Sequence, residues 1–445
     1  MPNIEMDNYT DTKLALITKR SVHRPQDKFS TLAYLLNTDY LKKCYQSLKN
    51  HKAAGIDNRT KESYTDKEID KEIDNTVSKM KNRRYQPKPV KRVYINKSNG
   101  KQRPLGIPSI IDKVVQQGIK KILEAIYEPH FLDNSYGFRP NRNCHQALKA
   151  VYRMVMTQKV NWIIDVDIKG FFDNVNHKWM IGCLNQKIND PRFRTIIIKF
   201  LKAGVIEEGK YYKTNKGTPQ GGILSPLLAN IYLHYVLDLW FEHKEKKNIT
   251  GYTGMIRYAD DFIVGVQNKQ EAYQILDDLK ERLSKFGLEV SKEKTRIIEF
   301  GRFAQENNIK RDKGKPDTFE FLGFTHYCSK SKQGKYLMKV KTSSKRQSRA
   351  LIEMNLWLKK IRNTLKTKQI WPILKSKIQG HYNYYGISSN FRSIYVYHYQ
   401  TRRLLYKWMN RRSHKQSFNW TRFNRYLEIY PLPKPALVHN MYDIW

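Results

Sequence analysis

An α/β or α+β catalytic body followed by a basic, aromatic-rich tail is the architecture that this 445-residue sequence predicts. Three observations carry that expectation. Helical and strand periods alternate through the residues before Gly301. A polar stretch with no sustained apolar period, GRFAQENNIKRDKGKPD from Gly301 to Asp317, reads as a connecting loop. Charge is divided across that loop: 82 Lys and Arg against 41 Asp and Glu give a net +41, and from Ser331 onward 24 Lys and Arg face only Glu353, Glu428 and Asp443, so +21 of it lies in the last quarter. The same quarter holds 19 of the 55 aromatic residues.

A cation of this size calls for a polyanionic partner, because each neutralised phosphate releases counterions. Nucleic acid is the expected one. A membrane is not, since there is no lipidation signal, no basic amphipathic anchor and no run of about 18 apolar residues. With 40% hydrophobic residues the chain can bury a sizeable core, which excludes disorder throughout. Cys44, Cys144, Cys183 and Cys328 are too widely spaced for a zinc half-site and read as reduced thiols. The opening MPNIEMDNYTDTKL is neither a signal segment nor a transit peptide, so a bacterial cytoplasmic location is expected.

Val90 to Pro108 reads as two short strands joined at Asn99-Gly100, a strong hairpin signal with basic residues around the turn. Alone, it is better read as a solvated edge. Asp112 to Tyr127 has helical spacing and stops at Glu128-Pro129. Asn161 to Asp173 begins as a strand in which Asp165 and Asp167, two apart, face one side and Ile164, Val166 and Ile168 the other. Lys216 to Asp238 is a Gly/Pro-rich turn running into an apolar helix, with Gln220 at the mouth and Leu227 to Leu237 packing beneath. In Gly254 to Val266 two apolar runs meet at Ala259-Asp260-Asp261, which predicts a hairpin with adjacent carboxylates at its turn.

Three carboxylates brought together by two acidic strands would repel unless hard divalent cations lay between them, and such oxygen ligands suit Mg²⁺. Two ions can activate an attacking oxygen and stabilise a leaving one in phosphoryl displacement. The plainer alternative is that Asp260-Asp261 only makes a turn and Asp165 and Asp167 only solvate an edge.

Seven segments occur in order: RPLGIP from Arg103, YGFRPNRNCHQAL from Tyr136, DIKGFFDNVNH from Asp167, KGTPQGGILSPLLANIYL from Lys216, YADD from Tyr258, GLEVSKEKTRI from Gly287 and FEFLGF from Phe319. Together they resemble the reverse transcriptases encoded by group II introns, also called intron maturases, over roughly residues 50 to 330. WMNRRSHKQSFNW from Trp408 extends the likeness. The resemblance implies an α+β right-hand polymerase, with fingers and an antiparallel palm sheet, then an α-helical thumb and a basic helical C-terminal region. In residue terms this means an N-terminal extension of the fingers at 1–60, fingers and palm at 61–315, a thumb or maturase X region at 316–400, and a DNA- and RNA-binding D region at 401–445.

The resemblance also implies roles. Asp167, Asp260 and, with less weight, Asp261 are the catalytic aspartates, and Asp167, Ile168, Asp260 and Asp261 form the site for two Mg²⁺ ions, with Mn²⁺ able to substitute. Asp165 precedes the motif and is not carried over. Phe172 crowds the sugar 2′-position and so favours deoxynucleotides. Lys97 and Arg103 match triphosphate contacts, Gln220 the nucleotide-pocket glutamine, and Lys294 a lysine suggested to protonate pyrophosphate. In the tail, Arg402, Arg403, Lys407, Arg411 and Arg412 would bind nucleic acid while neighbouring rings stack on bases, about half of the tail aromatics being thumb core instead. The implied partners are group II intron RNA, an RNA template with a DNA primer, dNTPs and target DNA.

Longer members of that family end in an HNH nuclease region whose zinc is held by paired cysteines. No cysteine follows Cys328 here, so the expectation is the class C branch without second-strand cutting. A free-standing reverse transcriptase is the alternative, and the maturase-like tail speaks against it. An RNA-binding splicing factor on an inactive scaffold is set aside because Asp167, Asp260 and Asp261 are intact.

Overall fold

The computed structural model describes residues 9–96, 102–412 and 418–442. The fingers begin with helices α1 (Tyr9–His23), α2 (Thr38–Gln46) and α3 (Asp66–Lys81). Asn37 caps α2 by accepting the Tyr40 N–H, and Thr65 forms a reciprocal capping box with Glu68 at the start of α3. Strands β1 (Val90–Asn96) and β2 (Gln102–Ile107) pair antiparallel, as the hairpin signal requires, while the Asn99-Gly100 turn falls outside the described residues. Helix α4 (Ile110–Tyr127) starts two residues before the apolar period does, because the Ser109 hydroxyl accepts the Asp112 N–H at 3.2 Å. It then runs through the centre of the larger core.

The palm follows with α5 (Cys144–Thr157), β3 (Trp162–Asp167), a helical turn at Phe171–Asn174, α6 (His177–Asn185), α7 (Pro191–Leu201), β4 (Val205–Glu207), β5 (Lys210–Tyr212) and α8 (Ser225–Leu233). A π-helical turn, His234–Asp238, continues α8, and β6 (Thr253–Tyr258), β7 (Asp261–Val266), α9 (Lys269–Lys285) and β8 (Arg296–Glu299) complete the unit. One four-stranded sheet has the order β2-β1-β4-β5 and the other, wholly antiparallel, β6-β7-β3-β8.

The palm sheet is covered on both faces, and its period-2 alternation decides what each face meets. Ile164 and Val166 on β3 and Phe262 and Val264 on β7 enter the larger core with α4 and α8. Ile163, Ile256, Ile263 and Ile298 point the other way into a second core built with α5 and the segment after Phe319. Gly254 and Gly265 stand opposite one another on that face, and Met154 of α5 fills the space left by their missing side chains. Asp165, Asp167 and Asp261 share this second face. The carboxylate row is therefore the uncovered end of an otherwise packed surface.

Three expectations are corrected after Gly301. The loop from Gly301 to Asp317 contains a helix, Ala304–Lys310. The segment expected to open a helical thumb is instead a three-stranded sheet of β9 (Phe319–Phe321), β10 (Phe324–Lys330) and β11 (Tyr336–Thr342), in the order β11-β10-β9. Met338 and Val340 alternate with Lys339 and Lys341 along β11, a strand period, and Gly334 takes φ +77° in the connecting turn.

Helices α10 (Ser344–Ile361), α11 (Thr367–Tyr385), α12 (Phe391–Asn410) and α13 (Trp420–Ile429) then build a third core. The boundary expected at 400/401 falls inside α12, whose buried row Ile394, Tyr397, Thr401, Leu405 and Trp408 is continuous across it. All four cysteines are free.

Candidate active site

Strand β3 places Asp167 directly opposite Asp261 on β7, and Tyr258 pairs with Asp261 across a two-residue turn, Ala259-Asp260. Ala259 has φ +59°, the left-handed value that tight hairpin turns need at their first position. Like charges opposed on neighbouring strands are destabilising, and the carboxyls register that crowding. Burial, then the charges of Asp165, Asp260 and Asp167, push Asp261 up to about 8. Burial pushes Asp165 up to about 6 although Arg296 lies 3.4 Å from it, and Asp260 is raised by burial and by Asp167 while Arg103 and Arg257 pull it down.

Lys294 is a second cation on this face beside Arg296: its Nζ lies 2.9 Å from Asp167 Oδ2. Ile168 is buried, so only its main-chain carbonyl could serve a metal. Among the described residues no three His, Cys, Asp or Glu side chains converge to enclose an ion by themselves. Mg²⁺ is seldom held in that way. It takes one or two carboxylates and completes its shell with water and substrate phosphates, which the oxygen donors of Asp167, Asp260 and Asp261 suit.

The sequence reading missed what holds the turn. Arg257, fully buried on β6, donates from Nε to Asp238 Oδ1 at 2.7 Å, from Nη2 to Asp238 Oδ2, from Nη1 to Asn230 Oδ1 at 3.1 Å and from the same nitrogen to the Ala259 carbonyl at 2.9 Å. Asp238 closes the π-helical turn, which sets it beneath the hairpin. Asn230 in turn donates to the Gly137 carbonyl at 2.7 Å. A Cβ at Gly137 would collide with the main chain of Ala259, so YGFRP needs a glycine there. An arginine in an otherwise apolar strand, with an aspartate in an apolar helix, was the available signal.

Beside the turn, the Thr218 N–H donates to the Phe172 carbonyl at 2.7 Å and the Gly217 N–H to that of Val175 at 2.8 Å, which fastens the Gly/Pro-rich loop to the turn after β3. Gly221, at φ +113°, brings that loop against β2: a Cβ there would lie 2.9 Å from the Gly106 carbonyl. The result is a cleft of about 250 Å³ that includes Phe172 and Gln220 together with Arg92, Lys213 and Lys216. Phe172 rests edge-on against buried Phe171, with centroids 5.3 Å apart. Arg103 is exposed on β2 and acts on Asp260 through its charge, while Lys97 lies outside the described residues.

The tail cations are not equivalent. Arg403 and Lys407 on α12 and Arg411 just beyond it are exposed, whereas Arg402 donates to the Asn424 side chain and Arg412 to the Leu365 carbonyl at 3.1 Å. Trp408 is buried among Arg362, Lys407 and Arg411, each within 5.5 Å of its ring. Tyr382, Tyr397, Trp371 and Phe423 are core, while Phe391, Tyr395, Tyr399 and Trp420 are exposed, so the division expected among the aromatics is present.

Residues 95–326 match the family described as reverse transcriptase (RNA-dependent DNA polymerase). The group II intron-encoded protein LtrA of Lactococcus lactis subsp. cremoris is 35% identical over 474 aligned residues, covering 87% of this chain and 75% of that protein. The chain belongs to the group II intron-encoded reverse transcriptases. This reverse transcriptase is an RNA-directed DNA polymerase with the maturase role in intron splicing and mobility. It is also similar to protein YkfC of Escherichia coli strain K12, at 37% identity over 41% of this chain and 55% of that protein. Nuclear intron maturase 4, mitochondrial, of Arabidopsis thaliana is 30% identical over 29% of this chain and 16% of its own length. Reverse transcriptases use divalent metal ions, and the partners of this one are intron RNA and nucleic-acid substrates. No helix among the described residues is long and apolar enough to cross a membrane.

Proposed function

We propose that the uncovered carboxylate end of the palm sheet is the polymerising centre, with Asp167 and Asp260 as the principal metal-binding pair and Asp261 and the Ile168 carbonyl completing it. The observation that carries this reading is the opposition of Asp167 and Asp261 on paired strands with Asp260 in the adjoining turn. Two Mg²⁺ ions, or Mn²⁺ in their place, would supply Lewis-acid activation of the primer 3′-oxygen and charge stabilisation of the departing pyrophosphate.

The chain's own residues do the rest. Arg257 fixes the carbonyl of the turn from below. Lys294 leaves Asp167 when the site is loaded and turns its ammonium towards the pyrophosphate. Arg103 and Lys97 neutralise the triphosphate, Gln220 bonds the incoming base or sugar, and Phe172 bars a 2′-hydroxyl, so dNTPs are the substrates, joined to a DNA primer on an RNA template. Arg403, Lys407 and Arg411 carry most of the tail's binding to intron RNA and target DNA, and Arg402 and Arg412 act more through structure. Residues 344–432 are best treated as one helical unit, because the third core spans the expected boundary.

The test is primer extension on an RNA template with dNTPs or NTPs and Mg²⁺. Asp260→Ala is expected to abolish DNA synthesis, and Phe172→Ala to raise ribonucleotide use by roughly tenfold or more, the size of effect that a steric pocket delivers. Full activity in Asp260→Ala would overturn the metal site. A parent chain that bound structured RNA tightly but made no DNA would leave only the splicing role.

A further inference from the structure

A second cavity, of about 490 Å³, lies between the N-terminal helices and α7, and none of its lining residues belongs to the nucleotide cleft. Leu36 of the α2 approach, Val77 and Met80 of α3 and Ile196 of α7 make an apolar floor, and buried Tyr85 closes the back. Tyr34 stands at the rim, 53% exposed. Four cations surround these surfaces, Lys81, Arg83, Arg192 and Lys199, and no acidic side chain lines them.

Two clamps hold the walls in place. Asp190, only 5% exposed, accepts the N–H groups of Leu32 at 2.6 Å, Ala33 at 2.8 Å and Phe193 at 3.0 Å, which ties the chain before α2 to the start of α7. Lys199 donates to the carbonyls of Arg83 at 3.1 Å and Tyr85 at 2.6 Å, which ties the chain after α3 to the end of α7. The cavity is thus preformed. Its size is that of a small-ligand site, and an apolar slot with a few fixed polar groups is the usual form of such sites. The side chains of Lys81, Arg83 and Arg192 are exposed and have no acidic partner among the described residues.

A flat, weakly polar ring with negative charge immediately beside it is the chemistry that fits, and that is a nucleotide. Folded RNA presents it where a base is unstacked from a loop or bulge, and proteins that read RNA by sequence or shape capture such bases against aromatic rings. We propose that this cavity receives one unstacked nucleobase of a folded RNA, beside Tyr34, with the flanking phosphates held by Lys81, Arg83 and Arg192. The proposal rests on the reading that the protein binds structured RNA outside its polymerase groove. It adds a recognition point that the polymerase reaction does not use.

The test compares two hairpin RNAs that differ only in a single bulged 2-aminopurine, binding to the full-length protein at fixed salt. Thr195→Trp, an exposed position on α7, fills the mouth without changing charge, and Arg192→Glu provides a second variant that leaves the floor intact. The parent is expected to bind the bulged hairpin about tenfold tighter than the flush one, with a change in 2-aminopurine fluorescence. Thr195→Trp is expected to remove both the preference and the signal, and Arg192→Glu to weaken the bulged hairpin most, while extension of a short primer–template reports that each variant is folded.

Equal binding of the two hairpins by the parent, or a preference that survives Thr195→Trp, would overturn the proposal while leaving RNA binding in place. Competition by adenosine monophosphate as effective as that by the bulged hairpin would make the cavity a free-nucleotide site and overturn it too. Failure of both hairpins to bind would sink the RNA-binding reading and the proposal together.

Discussion

In the palm, Arg257 is fully buried against Asp238, Asn230 and the Ala259 carbonyl, whereas in the helices after Ser344 the basic residues face solvent and Arg349–Glu353 is the ion pair they form among the described residues. On the proposed reading the two regions do different work, and they use charge differently. A reacting centre needs its turn held to fractions of an ångström, and a buried arginine with a full set of hydrogen bonds supplies that for the Ala259 carbonyl. Tracking a polyanion needs surface charge density and tolerates loose side chains, since the gain is counterion release. α12 shows both logics on one helix: Ile394, Tyr397, Leu405 and Trp408 are packed, and Tyr395, Tyr399, Arg403 and Lys407 are exposed.

The contrast is broken most sharply by removing a palm carboxylate. Asp167→Ala is expected to lower primer extension by about a thousandfold or more, the worth of several kcal/mol of metal stabilisation, with RNA binding measured by filter retention unchanged. Comparable loss of both would mean that the palm carboxylates also organise the RNA surface.

Next in size is the buried pair. Arg257→Ala strands the Asp238 charge and is expected to cost about 3–5 kcal/mol of stability in denaturant unfolding. An Arg257→Met, Asp238→Leu double variant should regain most of that stability but not the extension rate, because the Ala259 carbonyl still lacks its donor. Recovery of both together would reduce the arginine to a packing role.

In the tail the expected effect is electrostatic and salt-dependent. Reversing Arg403, Lys407 and Arg411 to Glu should flatten the slope of log K against log salt for RNA by about 2, and extension of a short primer–template should stay within roughly threefold of the parent. An unchanged slope would move the RNA-binding surface elsewhere.

The smallest effect sharpens the contrast through pH. Burial pushes His326 down to about 3, against the Phe319 and Phe324 main chain that pulls it up, and burial pushes His234 and His381 down to about 4. These rings are neutral in the fold but bind protons near pH 6.5 when unfolded. Their stability is therefore fully present above about pH 6.5 and is lost as pH falls towards 4, by about 2 kcal/mol for His326 between pH 6.5 and 4.5. His326→Leu should flatten that acid slope in thermal melts, and an unaltered slope would assign it to other groups.

Local patterns were legible where the signal is carried by neighbours in the chain. The β1–β2 hairpin, the start of α4 within two residues and the β6–β7 turn all follow from periodicity and turn residues. The segment 324–342 was misjudged as helical because thumb helices were inferred from likeness, while its strand alternation and Gly334 turn were there to be counted. Arg257, Asp238 and Asn230 were not legible as a unit: they lie on three elements, and only packing reveals that a π-helical turn sets Asp238 under a hairpin some twenty residues later.

By itself the sequence determined the charge, the order of the motifs and which residue types could bind metal, phosphate and base, because composition and short-range spacing fix those. Only the tertiary structure decided that Asp167 stands opposite Asp261, that Arg402 and Arg412 are hydrogen-bonded to other elements while Arg403 and Lys407 are exposed beside aromatic rings, and that the N-terminal helices and α7 enclose a basic, apolar-floored cavity. Those outcomes depend on strand register and helix packing, where residues far apart in the chain meet, and a one-residue slip of β7 against β3 would have put Asp261 on the face opposite Asp167.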